Sequence, residues 1–214
     1  MQHRDELTPQ EAAISALRAA GWRWVPRGAH EPVAPADGGV DEPSSEPCWQ
    51  QNVALTAWQR SYDELASEDE SVWFLAVADY GEHGAGSDAF AWNAFERLSL
   101  EGAVDADERA AVTRFWARHH PIMLSVRGAY SYLALRDDGA VVFGEEPEFE
   151  ATTTVAGSVE QLLESIAYWG SVITPEASQS ASPASAASPA SPGIAGPDSL
   201  RELMRLLFGE GARP

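Results

Sequence analysis

The chain of 214 residues carries 33 acidic side chains against 14 basic ones, a formal charge of −19, and every basic residue is an arginine. That balance repels phosphate and excludes a nucleic-acid binder, while the missing lysine excludes P-loop, Schiff-base and lysine-base chemistry. One cysteine, Cys48, excludes an internal disulfide framework, and no apolar run nears the roughly 18 residues of a membrane span.

The polar start MQHRDELTPQE lacks the apolar core of a signal peptide, so the chain is expected to be soluble and cytoplasmic. Thr8-Pro9-Gln10-Glu11 reads as a capping box with proline at the first helical position. It predicts a helix that presents Ile14 and Leu17 and stops at Gly21. Trp22 and Trp24 flank that end and alternate with Arg23, an arrangement that leaves one of them room to be exposed. Residues 25–47 hold Pro26, Pro32, Pro35, Pro43, Pro47 and the Gly38-Gly39 pair, and read as a loop.

Leu55, Trp58, Tyr62 and Leu65 fit one helix face. Val72 to Ala78 is an apolar run of strand length. Asp105-Ala106-Asp107-Glu108 opens a helix with the face Val112, Phe115, Trp116 and His119, ended by Pro121. Strands are predicted over 122–127, 130–136 and 140–143, joined at Arg127-Gly128 and at Asp137-Asp138-Gly139, with a further strand over 149–155. Ser158-Val159-Glu160-Gln161 is a second capping box. It opens a helix lined by Val159, Leu162, Leu163 and Ile166 and closed by Gly170. Helices around an antiparallel meander predict one α+β domain over residues 1–170.

Residues 171–197 are nearly all Ala, Ser and Pro and read as a disordered linker. Residues 198–209 hold Leu200, Leu203, Met204 and Leu207 at the spacing of one helix face. Such a short helix needs a surface to dock on. It either packs back on its own domain or docks on another chain.

Catalytic chemistry is not indicated. Gly81, Gly84 and Gly86 match neither the dinucleotide fingerprint nor the P-loop. Asp79, Glu82, His83 and Asp88 fit no known metal-loop spacing, and His119-His120 reads as a helix terminus. Cys48 sits beside Glu46, the wrong neighbourhood for a reactive thiol. No catalytic site, no metal and no cofactor are expected.

Charge placement is more informative. Nine acidic residues and no basic one lie between Arg60 and Arg97, and ten and none between Arg136 and Arg201. Residues 1–170 hold 29 acidic residues and 11 arginines, so the acid belongs to the body. The candidate partner-binding residues are Asp69, Glu70, Asp79, Glu82, Asp88, Glu145, Glu146, Glu148 and Glu150. Charge alone leaves open whether they serve solubility or a binding face.

The order from Trp73 to Trp169 carries a resemblance. It runs through WFLAVADYG, DAFAWNAFERLS and a helix ending HHPI, then SVRGAYSYLALRDDGAVVFGEEPEFE and TTTVAGSVEQLL. This resembles the SUKH superfamily of Smi/Knr-like proteins over about half of the chain, and Trp92-Asn93 belongs to that pattern as a structural element. The resemblance implies a single α+β domain. It further implies an immunity protein that neutralises a cognate, basic secreted toxin, such as a nuclease, by direct binding. A regulatory scaffold of the same type is the alternative, with the C-terminal helix as its docking element. A metal- or ligand-binding module using the 79–88 loop is the third reading.

Overall fold

The computed structural model describes residues 7–28, 48–80, 90–173 and 197–209. Thr8 opens helix α1, Pro9–Ala19, as a reciprocal cap: its Oγ1 accepts from Glu11 N at 3.3 Å, and Glu11 accepts from Thr8 N at 2.9 Å. Gly21, with φ +89°, turns the chain into strand β1, Arg23–Pro26. Its last two residues, Val25 and Pro26, fall where the proline content predicted a loop. A 3₁₀ turn over Cys48–Gln51 leads into α2, Val53–Gln59, capped by the Asn52 side chain. Then come β2 (Tyr62–Ala66), β3 (Val72–Phe74), a 3₁₀ turn at Val77–Tyr80, α3 (Ala94–Gly102) and α4 (Ala106–Trp116). The meander follows as β4 (His119–Ser125), β5 (Ser131–Arg136), β6 (Val141–Glu145) and β7 (Thr153–Ala156). Helices α5 (Val159–Ile173) and α6 (Pro197–Phe208) complete it.

All seven strands form one antiparallel sheet in sequence order. The fold is therefore α+β, as the sequence predicts. Cross-strand register sorts the side chains into two faces. One row runs Trp24, Leu65, Phe74, Met123, Leu133, Phe143. It packs under α1, α2, α5 and α6 with Leu17, Leu55, Trp58, Ile166 and Leu203 in the larger core. The neighbouring row runs Arg23, Ala66, Trp73, Leu124, Tyr132, Gly144. Its later members lie under α3 and α4, against Phe95, Val112, Trp116 and Phe149.

Three sequence expectations are corrected. Tyr62 and Leu65 do not continue α2: Ser61 Oγ donates to the Trp58 carbonyl at 2.6 Å, Arg60 caps the helix, and both residues belong to β2. His119 does not extend α4, which stops at Trp116; His119, His120 and Pro121 open β4 instead. Gly170 does not close α5. The helix runs on to Ile173, and Gly170 marks its close approach to α1, where an added Cβ would lie 2.3 Å from Ala16 Cβ.

The C-terminal helix packs back on its own domain. Leu203, Met204, Leu206 and Leu207 are buried in the larger core, while the side chain of Leu200 lies outside the described residues. Trp22 Nε1 donates to the Leu207 carbonyl at 2.7 Å and Arg127 Nη1 to the Leu206 carbonyl at 3.0 Å. These bonds satisfy carbonyls that a helix end leaves without partners.

Gly170→Ala tests the crossing of α1 and α5. The added methyl forces the helices apart, and the variant is expected to lose about 1–3 kcal/mol in urea unfolding. Ala16→Gly in the same chain is expected to make the combined loss smaller than the sum of the two single losses, which a double-mutant cycle reads directly.

Candidate functional site

The second face of the sheet is covered unequally. Over β4, β5 and β6 the residues Leu124, Tyr132, Ala134 and Val142 are buried beneath α3 and α4. At β1 and β2, by contrast, Arg23 and Val25 are exposed and Glu64 is half-buried. The small Ala66 sits between Arg23 and Trp73 in the cross-strand row, and a hollow of about 380 Å³ opens there. Trp73, Phe90 and Trp92 give it aromatic walls; Asp63, Glu64, Glu70 and Asp79 bring four carboxylates. Phe90 meets Trp73 edge-on at 6.2 Å.

Arg23 is the one cation among the residues lining this groove. It pairs with Glu64, and with Glu70 at 2.9 Å, and its guanidinium is held above its usual pKa first by the Glu64 hydrogen bond. Asp63 and Asp79 make no ion pair among the described residues. Asp63 accepts from the Gly28 N–H at 3.4 Å. Asp79 Oδ2 accepts from the Ala76 N–H at 2.7 Å. Burial raises the Asp79 pKa, and that hydrogen bond partly opposes the rise.

The sequence-predicted acidic residues fall in separate places. Glu70 and Asp79 share the groove. Asp69, one residue before Glu70, is committed to structure: it pairs with Arg127 at 2.7 Å and accepts from Ser67 and Ser71 at 2.7 and 2.8 Å. The Ser67 hydroxyl, Arg127 and Ser71 together hold its pKa well below the usual carboxylate range. Glu145 ends β6, and Glu146, Glu148 and Glu150 lie between β6 and β7. Glu146 accepts from the Tyr130 N–H at 3.0 Å and Glu150 from Trp116 Nε1 at 2.9 Å, leaving Glu145 and Glu148 as the exposed acids without such a bond. Glu82, His83 and Asp88 lie outside the described residues, as does the side chain of Cys48. Asp63, Glu64 and the aromatic walls escape sequence reasoning. The acidic pair between Tyr62 and Leu65 is the available signal, hidden because those residues look like a helix face.

Beside the groove lies a second unusual group. His120 stacks on Trp49 (centroids 3.9 Å apart, planes 4°) and on Tyr80 (4.4 Å, 27°), which also meet each other at 5.5 Å. Among the described residues its buried Nε2 has no hydrogen-bond partner. Tyr80 is fixed in turn, donating to the Pro121 carbonyl at 2.6 Å and accepting from Gln59 Nε2 at 2.8 Å. Burial pushes the His120 pKa down to about 3. The pair His119-His120 is thus strand core: His119 stacks on Phe115 at 3.8 Å, and its Nδ1 is 2.8 Å from the Phe115 carbonyl.

Among the described residues, no three His, Cys, Asp or Glu side chains converge as metal ligands, and no helix is long and apolar enough to cross a membrane. Comparison with family models, curated proteins and solved structures finds no match to this chain.

His120 sets a pH dependence. The unfolded side chain takes a proton near pH ~6.5, while the folded one resists until about 3, so stability falls as pH drops through that window. The slope from this group is at most about 1.4 kcal/mol per pH unit. His120→Phe keeps a ring in the stack and removes the titration. Between pH 7 and 5 the native chain is expected to lose more urea stability than the variant. Equal losses would show that His120 does not titrate as its burial requires.

Proposed function

We propose that the protein binds a basic protein partner through the open, acidic end of its sheet. The partner is a cognate antibacterial toxin, held inactive in the cytoplasm of the cell that makes both. The observation that carries the reading is the groove of four carboxylates and one arginine on a sheet face that, among the described residues, no helix covers. Preformed acid of this kind attracts a basic cleft over long range, speeds association and discriminates against other partners. The resemblance to Smi/Knr-like immunity proteins supplies the class of partner. Within the described residues nothing asks for chemistry by this chain, since binding alone occludes an active site.

The scaffold reading assigned docking to the C-terminal helix. Leu203, Met204 and Leu207 of that helix are buried against this domain, which favours the toxin-binding reading over it.

Co-expression with the product of the neighbouring gene tests the proposal. The protein is expected to co-purify with that product and to rescue cells poisoned by it. Asp63→Lys is expected to slow association about tenfold at low salt, an effect that shrinks as salt screens the charge. Association indifferent to both salt and Asp63→Lys, or a neighbouring product that harms no cell, contradicts it.

A further inference from the structure

The groove says more about its partner than its sign. Its floor is Ala66, flanked in the same cross-strand row by Arg23 on one side and Trp73 on the other. Its volume of about 380 Å³ falls at the small end of the roughly 300–1,000 Å³ typical of pockets that take a discrete group. A flat acidic face would suit any basic surface; a hollow of this size, with aromatic walls, suits one inserted side chain. Four carboxylates line it against one guanidinium, a net charge of −3. Asp63 and Asp79, which Arg23 does not engage, accept among the described residues from backbone N–H donors.

Resting on the partner-binding function above, we propose that this groove receives one arginine side chain of the protein partner, stacked on Trp73 and paired with the carboxylates that Arg23 leaves free. The chemistry selects arginine over lysine. A planar guanidinium stacks on an aromatic face and forks onto carboxylates, whereas an ammonium is a compact, strongly hydrated charge that does neither well. Arg23 supports the assignment, because a guanidinium of the chain itself already pairs with Glu64 and Glu70 at this rim. The guest completes the same arrangement on the side of Asp63 and Asp79. This anchor would sit in a pocket rimmed by acid, the setting in which a single arginine carries much of an interface's binding energy.

The test uses the full chain labelled with ¹⁵N and three capped tripeptides, acetyl-Gly-X-Gly-amide with X arginine, lysine or citrulline. The indole Nε1–H resonances of Trp73 and Trp92 report on the groove. The arginine peptide is expected to shift them saturably with a dissociation constant on the order of millimolar, as suits one side chain. Lysine is expected to bind several-fold more weakly. Citrulline keeps the shape and loses the charge, so it is expected to bind about tenfold more weakly or less. Asp63→Asn, an exposed and isosteric change, is expected to weaken the arginine peptide about threefold or more, and Glu145→Gln to leave it unchanged. Equal response to arginine and citrulline, shifts outside the groove, or indifference to Asp63→Asn overturns the proposal. A protein that neutralises its toxin yet ignores the arginine peptide keeps the function and loses this anchor. One that takes the peptide yet neutralises nothing keeps the anchor and loses the function.

Discussion

A seven-stranded sheet has two faces to cover, and this chain covers them unevenly. Four helices close the first face from β1 to β7. Two short helices and the Phe149 segment close the second, and they reach only the later strands. The row Arg23, Ala66, Trp73, Leu124, Tyr132, Gly144 records the consequence side chain by side chain. It is apolar and buried where α3 and α4 lie over it, and charged or aromatic at the open end. At its far end Tyr132 is fully buried and donates its hydroxyl to the Phe149 carbonyl at 2.5 Å. Gly144 leaves the space that its ring occupies, since a Cβ there would lie 2.6 Å from it. Among the described residues, the groove is thus the part of the second face that no helix covers.

With no lysine in the chain, the ion pairs of the described residues all use arginine. Arg127 ties three elements together: Nη2 pairs with Asp69 at 2.7 Å, Nε donates to Ser71 Oγ at 2.9 Å, and Nη1 reaches the Leu206 carbonyl of α6 at 3.0 Å. Arg118 pairs with Asp137 and Arg136 with Asp138, both at 2.7 Å, pinning the turn between β5 and β6. These exposed pairs contribute little stability each, but they withdraw acid from the surface charge and fix turns. Among the acids without an ion pair are Asp63 and Asp79 in the groove and Glu145 and Glu148 at the end of β6 and beyond it. The net charge of −19 is therefore two populations, one that holds the fold and one that faces outward.

The fold class, the Thr8 capping box, the three-strand meander with its Gly-bearing turns and the amphipathic C-terminal helix are legible in the sequence because each rests on local rules; of the second box only the Ser158 half forms, since Gln161 Oε1 accepts from Gly157 N instead. What was hidden depends on long-range pairing. Tyr62 and Leu65 are three residues apart and so mimic a helix face. In a regular strand they would point to opposite faces, but the register skips Asp63 between Pro26 and Val25, and the bulge puts both in the larger core. A like irregularity between Pro121 and Met123 lets a proline stand inside β4 after two buried histidines. Helix α3 opens on Asn93 with Glu96 three residues on, a cap-like spacing, although the Asn93 side chain makes no cap hydrogen bond. The groove could not be read in advance because its carboxylates come from β2, the β2–β3 turn and a 3₁₀ turn, and only the sheet brings them together.

The central claim is that the partner sits on the open end of the second face. Hydrogen–deuterium exchange on the full chain, free and in complex with the proposed toxin partner, tests this most directly. The account predicts slowed exchange on complex formation in residues 62–66 and 70–76. Protection confined to residues 145–150 or to the C-terminal helix, with β2 and β3 unchanged, would contradict it.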